Sequence, residues 1–407
     1  MKRYSIGIVG AGMGGLAAGA LLARAGHDVT LVERFQTAGP VGSGLVLQPV
    51  GLAVLDEIGA GAAARAMSAP ITHMLGHAGA RTVLDVSYAP HAPGLALHRA
   101  ALFSVLWDAA LAAGVAVRTG ALVTGAPQDG TRRWIASHNA DRLGPFDLVI
   151  DASGAGSSLS PLQARALPYG AVWGHVAWPG DTPFAPNRLI QRYLGAHRMA
   201  GVLPIGHLPG DPTPRAAIFW SMPRIDLATW AMRDHDDWRA EVVAFWPEMA
   251  PFITQAPQMT PAAYSHGTLR RPYASALAFI GDAAHRASPQ LGQGANMALL
   301  DAMALATAIA SCDLDDALPR YAALRRWHVR GYQGMSAAFT PMYQSHSRIL
   351  PRLRDHILAP MSKLPVVRAV LTRLVSGTLL PPLAATAWPR KNAGPQPRTM
   401  TTGDTHA

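Results

Sequence analysis

A glycine-punctuated turn at residue 10 restricts this chain more than any other feature. Ser5-Ile6-Gly7-Ile8-Val9 reads as a buried parallel strand. Gly10-Ala11-Gly12-Met13-Gly14-Gly15 follows, and Leu16 to Ala25 is an Ala/Leu-rich helix closed by Gly26. A second strand, Asp28-Val29-Thr30-Leu31-Val32, ends at Glu33. In a βαβ unit of this kind Gly10 permits the tight turn, Gly12 lets the backbone approach a pyrophosphate, and Gly15 lets helix and strand pack closely. The helix N-terminus offers free N–H groups and a partial positive charge to phosphate. Glu33 lies about 20 residues on, where an acid accepts hydrogen bonds from a ribose 2′-OH. An acid at that point argues against a 2′-phosphate, so the adenosine of FAD or NAD fits and that of NADP does not. A lone G-x-G-x-x-G is a weak signal; here strand, helix, second strand and terminal acid stand in register.

Two later stretches carry further chemistry. Phe146-Asp147-Leu148-Val149-Ile150-Asp151 is a buried strand running into Ala152-Ser153-Gly154-Ala155-Gly156-Ser157, a pattern as common in ordinary turns as in binding loops. The strand Ala278-Phe279-Ile280 leads into Gly281-Asp282-Ala283-Ala284-His285, Ser288-Pro289 and Leu291-Gly292-Gln293-Gly294-Ala295-Asn296, after which the spacing predicts a helix through Ala310. Gly292, Gly294 and Asn296 open that helix, whose N-terminus suits an anion or an electron-rich ring edge. Asp282, at a strand's C-terminal end, is placed to bond a ribityl hydroxyl. His285 reads as a packing or capping residue before it reads as a base.

Composition narrows the field. The chain has 407 residues, 49% hydrophobic and 15% charged, as packed globular proteins do; this suits two domains or one large one. Its one cysteine, Cys312, excludes an intramolecular disulfide and a Cys-rich metal site. No apolar run reaches the ~18 residues a bilayer span needs. Met1 to Gly7 lead straight into a strand pattern and not a signal peptide, so a cytoplasmic location is expected. The net charge of +10 comes mostly from thinly spread arginines without a like-charge run, which argues for attraction of anionic cofactors and against nucleic-acid binding.

Taken together and in this order, the motifs resemble the flavoprotein aromatic hydroxylases, the FAD-dependent monooxygenases related to p-hydroxybenzoate hydroxylase. Gly10-x-Gly12-x-x-Gly15 with Glu33 matches that family's dinucleotide fingerprint, Asp151-Ala152-Ser153-Gly154 sits where it has an Asp-Gly motif, and Gly281 to Asn296 matches its Gly-Asp motif nearly letter for letter. His98-Arg99-Ala100-Ala101-Leu102 is similar to its Arg-containing helix start, and Gly42-x-Gly44 with Leu45 to Pro49 to its flavin-lining segment. The resemblance spans roughly residues 1–340. It implies that FAD is held by Gly10, Ala11, Gly12, Met13, Gly14, Gly15, Glu33, Arg34, Arg99, Val123, Asp282, Pro289, Gly292, Gly294, Ala295 and Asn296. Ser153 and Ser160 depart from the Asp and Arg usual in the family, which bears on how the reductant is bound and not on FAD.

The implied fold is α/β: a Rossmann-like FAD-binding domain (1–75, 95–165 and 265–335), an inserted antiparallel β-sheet substrate domain (76–94 and 166–264), a C-terminal helical segment (336–390) and a disordered tail (391–407). Six of the ten tryptophans fall in the insertion, at positions 173, 178, 220, 230, 238 and 246, and some of them are expected to line an aromatic pocket. From Pro341 to Arg390 seven basic residues face one acid, Asp355. Packing of these helices on the FAD domain or a homodimer contact is favoured over membrane-surface contact.

The chemistry implied by the resemblance is hydroxylation of a phenolic or polycyclic aromatic small molecule through a C4a-hydroperoxyflavin formed from reduced FAD and O2, with NAD(P)H as transient reductant and no metal. The chain has no second G-x-G-x-x-G for a tightly held nicotinamide. No catalytic side chain is assigned; His175 and Tyr193 are weighed as substrate-activating bases and read first as structural. A FAD-dependent reductase, dehydrogenase or halogenase on the same fold, and a non-catalytic flavin or partner binder, are the alternatives.

Overall fold

Strong β-formers in short apolar runs, broken by glycine, give the first sheet. The computed structural model describes residues 2–383 apart from 38, 40–42, 90, 91, 140, 256 and 257. The elements that position the site are, in chain order, β1 (Ser5–Val9), α1 (Met13–Arg24), β2 (Asp28–Val32), β3 (Gly44–Leu47), β4 (Gly94–His98), α2 (Arg99–Ala112), β5 (Leu148–Asp151), β6 (Arg165–Ala177), β7 (Arg215–Pro223), β8 (Thr260–Thr268), β9 (Leu277–Phe279), α3 (Gly294–Ile309), α4 (Leu314–Tyr343) and α5 (Pro365–Val375).

A six-stranded sheet runs in the order Tyr273–Ala274, β9, β5, β1, β2, Ala116–Arg118, parallel throughout except for its Tyr273–Ala274 edge. Both faces of β1 are covered, and Ile6 and Ile8 are fully buried, as expected of a parallel strand between helical layers. α1 packs against α2 and α3. Because the order reverses at β1, with β2 on one side and β5 on the other, a crevice opens at the C-terminal ends of these strands.

The second sheet has eight strands: His285–Arg286, β8, β6, β7, Arg198–Pro204, Arg188–Leu194, His73–Ala78 and Arg81–Ser87. It is antiparallel except where Arg188–Leu194 pairs in parallel with His73–Ala78. Alternation along β6 and β7 sorts the side chains to two faces. Val172, Val176, Ile218 and Trp220 point into a core closed by the helices of residues 224–253. Trp173, Ala217 and Phe219 point the other way, toward the first domain.

This alternation corrects the expectation for the tryptophans. Trp220, Trp230, Trp238 and Trp246 are buried, and Trp178 packs beside them, all in the outer core. Trp173 alone of the six lies on the inner face. The C-terminal helices pack on the edge of this sheet as well as on the first domain. Thr372 of α5 donates to the Ser87 carbonyl at 2.9 Å, while the end of α5 and the segment after it do reach the first domain as expected: the Leu374 and Gly377 carbonyls accept from Tyr332 and His328 of α4, and Leu383 joins that domain's core. The tail expected to be disordered, 391–407, lies outside the described residues, as do 384–390 and Gly42.

Candidate active site

The glycine turn comes first. Gly10 has φ +100°, and a Cβ there would lie 2.7 Å from the Ala152 carbonyl oxygen; one on Gly15 would lie 2.0 Å from the Gly10 oxygen. The turn is therefore pressed against the Ala152–Ser153 loop on one side and its own helix on the other. Glu33, 8% exposed, accepts from the Ala11 N–H at 2.8 Å and the Phe35 N–H at 3.1 Å. One acid thus ties the turn to the end of β2 and keeps lone pairs for a ribose. Arg34 stacks on Phe35 and reaches toward Gly156, and Met13 stands at the start of α1. Val123 is buried beside these loops, its carbonyl accepting from Ser158 Oγ at 2.8 Å.

The middle loop is self-contained. Asp151 is fully buried and accepts from Ser153 N and Oγ (3.0 and 2.6 Å) and from Ser157 Oγ (2.5 Å). Ser160 donates to the Ala283 carbonyl at 2.5 Å. Of the two serines that depart from the family pattern, Ser153 thus closes the loop on Asp151 and Ser160 fastens it to the Gly281–His285 turn.

At the other end of the crevice, the Asn296 amide donates to the Val46 and Gly292 carbonyls at 3.1 Å each and accepts from the Gln48 N–H at 2.9 Å. Gln293 donates to Gln48 at 2.6 Å, and its own Oε1 is buried without a partner among the described residues. β3 is therefore stapled to the start of α3. Asn296 spends its side chain on this staple, so it serves the site through its backbone and by positioning β3. The Pro289 carbonyl accepts from the Gly292 N–H at 2.9 Å, so it closes a turn and keeps one lone pair.

Arg99 opens α2, and Asp282 sits in the Gly281–His285 turn. Neither side chain has a hydrogen bond among the described residues, yet each is within electrostatic reach of the other. Asp282 is exposed at the surface, yet the protein around it displaces enough water to raise its carboxyl above the ordinary value against the pull of His285, Arg99 and Arg286. Tyr264 stands near Arg99 and accepts from the Trp173 indole N–H at 2.7 Å. Its phenol is pushed up by burial and stays protonated. Trp173 and Tyr264 form an aromatic wall on the sheet side.

His285 is not a free base. Its Nε2 is 2.6 Å from Asp301 Oδ2. Asp301 also accepts from Arg325 Nε at 2.7 Å and Gly281 N at 2.9 Å. Burial alone would raise the Asp301 carboxyl, but His285 and Arg325 hold it at about 2. Tyr193 is likewise excluded as a base. It is 2% exposed, bonded to Gln191, and packed between Tyr343 and Arg354 under the C-terminal helices. His175 does lie on the inner face, against His98. A separate cavity of about 290 Å³ behind the Gly281–His285 turn is lined by Arg270, Arg271, Arg325, Arg326 and Arg330; it contains none of the residues expected to touch a cofactor. Among the described residues no group of three His, Cys, Asp or Glu is placed to hold a metal, and no helix is long and apolar enough to cross a membrane.

The crevice fits FAD. A Cβ added at Gly12 would have one neighbour, at 3.9 Å, and at Gly292 or Gly294 none within 4 Å, so bare backbone lines both ends. Arg99, Asp282 and the Gln293 oxygen lie between them with bonding capacity unspent. Gln48, Gln293 and Tyr264 carry this site without having been singled out in the sequence. Gln48 falls inside the flavin-lining segment, a usable signal; nothing local marks Tyr264.

A glycine turn at one end of a switch-point crevice, a helix N-terminus at the other and a roofing antiparallel sheet define a dinucleotide-binding flavoprotein. A model of the family described as "FAD binding domain" matches residues 3–141 and 239–326. The 2-heptyl-3-hydroxy-4(1H)-quinolone synthase of Mycobacteroides abscessus is 30% identical over 336 residues, 77% of this chain and 84% of that protein. The 3-hydroxybenzoate 6-hydroxylase of Klebsiella oxytoca is 25% identical, covering 76% and 81%. Klebsiella pneumoniae HpxO, solved with FAD and uric acid, shares the fold with a TM-score of 0.76 at 21% identity over 92% of this chain and 98% of that one. The chain belongs to the FAD-dependent aromatic hydroxylase family and is a FAD-dependent monooxygenase.

Proposed function

We propose that the protein uses O2 and a transiently bound NAD(P)H to hydroxylate a planar aromatic small molecule, phenolic or polycyclic. The observation that carries this reading is the grouping about one crevice of the Gly10–Gly15 turn, of Arg99 and Asp282, which have no side-chain hydrogen bonds among the described residues, and of the bare start of α3, beneath an aromatic wall of Trp173 and Tyr264. The relatives' names point to rings of the same kind, a quinolone that one makes and a hydroxybenzoate that the other hydroxylates.

When bound, FAD supplies the redox chemistry, passing reducing equivalents from NAD(P)H to O2. The chain's own residues bind, orient and insulate. The N–H groups of Ala11 to Met13 at the start of α1 would take the pyrophosphate, and Glu33 the adenosine ribose. Arg99 and Asp282 would hold the ribityl–phosphate region between opposite charges. The backbone N–H groups of Gly294 and Ala295, aligned with the α3 dipole, would stabilise negative charge on the adjoining ring edge. Trp173 and Tyr264 would exclude water from the sheet side. No side chain need act as nucleophile. A cytoplasmic site of action is supported by the use of NAD(P)H. A homodimer is the assembly we propose, with Ile349, Val366 and Val370, exposed by 75%, 77% and 42%, as its apolar contact; light scattering tests it.

The test is a visible spectrum of the purified protein, then NAD(P)H oxidation with a panel of phenols under 18-O2 and product mass. One labelled oxygen in the product is expected. Flavin binding with NAD(P)H oxidation but no label in any product would move the assignment to a reductase.

A further inference from the structure

The cavity of about 290 Å³ behind the Gly281–His285 turn collects positive charge that the flavin does not explain. Arg270 and Arg271 line it from the loop after β8, and Arg326 and Arg330 line it from α4, where they stand one helical turn apart. All four are exposed, and none has an ion pair or a side-chain hydrogen bond among the described residues. The Arg271 guanidinium lies over the Tyr273 ring, 4.5 Å from its centroid, which keeps it at the cavity wall. Arginines elsewhere, Arg65, Arg198 and Arg215 among them, stand on carboxylates. Asp301 is the one acid in the lining, and it is taken by His285 and Arg325. Arg325 is thereby neutralised, and four charges are left without a counter-charge in the wall.

Such an arrangement works against the empty protein. Like charges four residues apart disfavour a helix, and the neighbouring guanidiniums on the loop repel both each other and that helix. A concave site lined by one sign of charge beside apolar walls, here Leu269 and Val329, draws in the opposite ion. Its volume is that of a small-molecule pocket and not of a macromolecular surface. Each guanidinium presents a planar fork of N–H donors that matches paired oxygens. A carboxylate offers two oxygens in one plane. A phosphate offers three acceptor oxygens pointing in different directions, so it can meet forks from the loop and from the helix together.

We propose that Arg270, Arg271, Arg326 and Arg330 bind a small phosphate carrying two or more negative charges, a diphosphate or a phosphate monoester, at a site separate from the flavin's. The site adjoins the cofactor turn through the backbone. Gly267 and Thr268 pair with Arg286 and His285, and the Leu269 N–H donates to the Ala284 carbonyl at 2.9 Å. An anion that ties the loop to α4 therefore braces, from behind, the turn that carries Asp282. Anion and flavin then favour each other's binding by the same factor. This bracing rests on the flavoprotein reading above; the anion site does not.

The test titrates pyrophosphate, inorganic phosphate and citrate into the full chain by calorimetry, with and without FAD, in chloride buffers of matched ionic strength. Pyrophosphate is expected to bind saturably at one site, at least about tenfold tighter than citrate. Arg270→Gln, Arg326→Gln and Arg330→Gln should each weaken it about fivefold or more. These side chains are exposed, so the variants should keep the parent's melting temperature in the absence of anion. Arg352→Gln, at an exposed arginine outside the cavity, should bind as the parent does. Saturating pyrophosphate should tighten FAD about threefold or more in the parent and not in the Arg326→Gln, Arg330→Gln double variant. No saturable binding, equal affinity for citrate, or an equal loss in Arg352→Gln overturns the phosphate site. Competition by NADH or NADPH would give the arginines to the reductant and overturn a separate site. Pyrophosphate that binds without changing FAD affinity overturns the bracing. A chain that takes up no FAD refutes the flavoenzyme reading instead, and the titration without FAD still reports the anion.

Discussion

Glu33 and Asp282 both belong to the cofactor crevice, but they stand in it differently. Glu33 is nearly buried and holds the Ala11 and Phe35 N–H groups. Glu33→Ala strands two donors, so it should cost the apoprotein about 2 kcal/mol as well as flavin. Asp282 has no hydrogen-bond partner among the described residues and touches solvent. Asp282→Ala should release flavin while leaving the apoprotein's melting temperature where it was. Absorbance of bound flavin and apoprotein melts separate the two outcomes, and full flavin occupancy in both variants would show that neither acid holds the cofactor. The glycine turn was legible because its constraint is local: a backbone at φ +100° against the Ala152 carbonyl needs glycine whatever the rest of the chain does. The roles of Asn296 and Pro289 were not, since whether an amide or carbonyl faces a ligand or a neighbour depends on residues far along the chain, such as Gln48 and Val46.

At the scale of elements, the Gly281–His285 turn is held from behind by α3 and α4. Asp301 joins His285, Arg325 and the Gly281 N–H in one buried set. Its carboxyl lies at about 2, below the unfolded value near 3.8. A depressed carboxylate contributes stability that is present above its unfolded pKa and lost as pH falls through the folded one. The contribution is on the order of 2 kcal/mol, and it should vanish between about pH 5 and pH 2. Asp301→Asn should flatten that part of the stability–pH curve in chemical denaturation; an unchanged acid limb would remove Asp301 from the account. Helical spacing placed Asp301 on α3, but only packing shows that it faces a histidine 16 residues back and an arginine 24 residues on.

Taken as a whole molecule, the FAD-binding sheet and the eight-stranded sheet meet at the crevice. A cofactor that binds the folded chain alone stabilises it by mass action, about 4 kcal/mol at a thousandfold excess over Kd. FAD loading is therefore expected to raise the melting temperature by several degrees, and adding FAD to apoprotein in a calorimetric scan tests this. A midpoint indifferent to FAD would mean that these loops do not grip the cofactor in the native state. The tryptophan-rich stretch shows how far composition reaches: it located a second sheet, but four of its six tryptophans are buried in the outer core. Position along a strand sets the face, yet which face meets the cofactor depends on how two sheets dock.

The amino-acid sequence alone determined the βαβ turn, the start of α3, the family and the cofactor, because glycine sterics and hydrophobic period act over a few residues and leave a readable spacing. The tertiary structure decided that His285 and Asp151 are structural, that Tyr193 is remote, that Trp173 and Tyr264 form the wall, and that Gln293 is stapled to Gln48. Those are matters of proximity between side chains far apart in the chain, 245 positions for Gln48 and Gln293, and no local pattern encodes such distances.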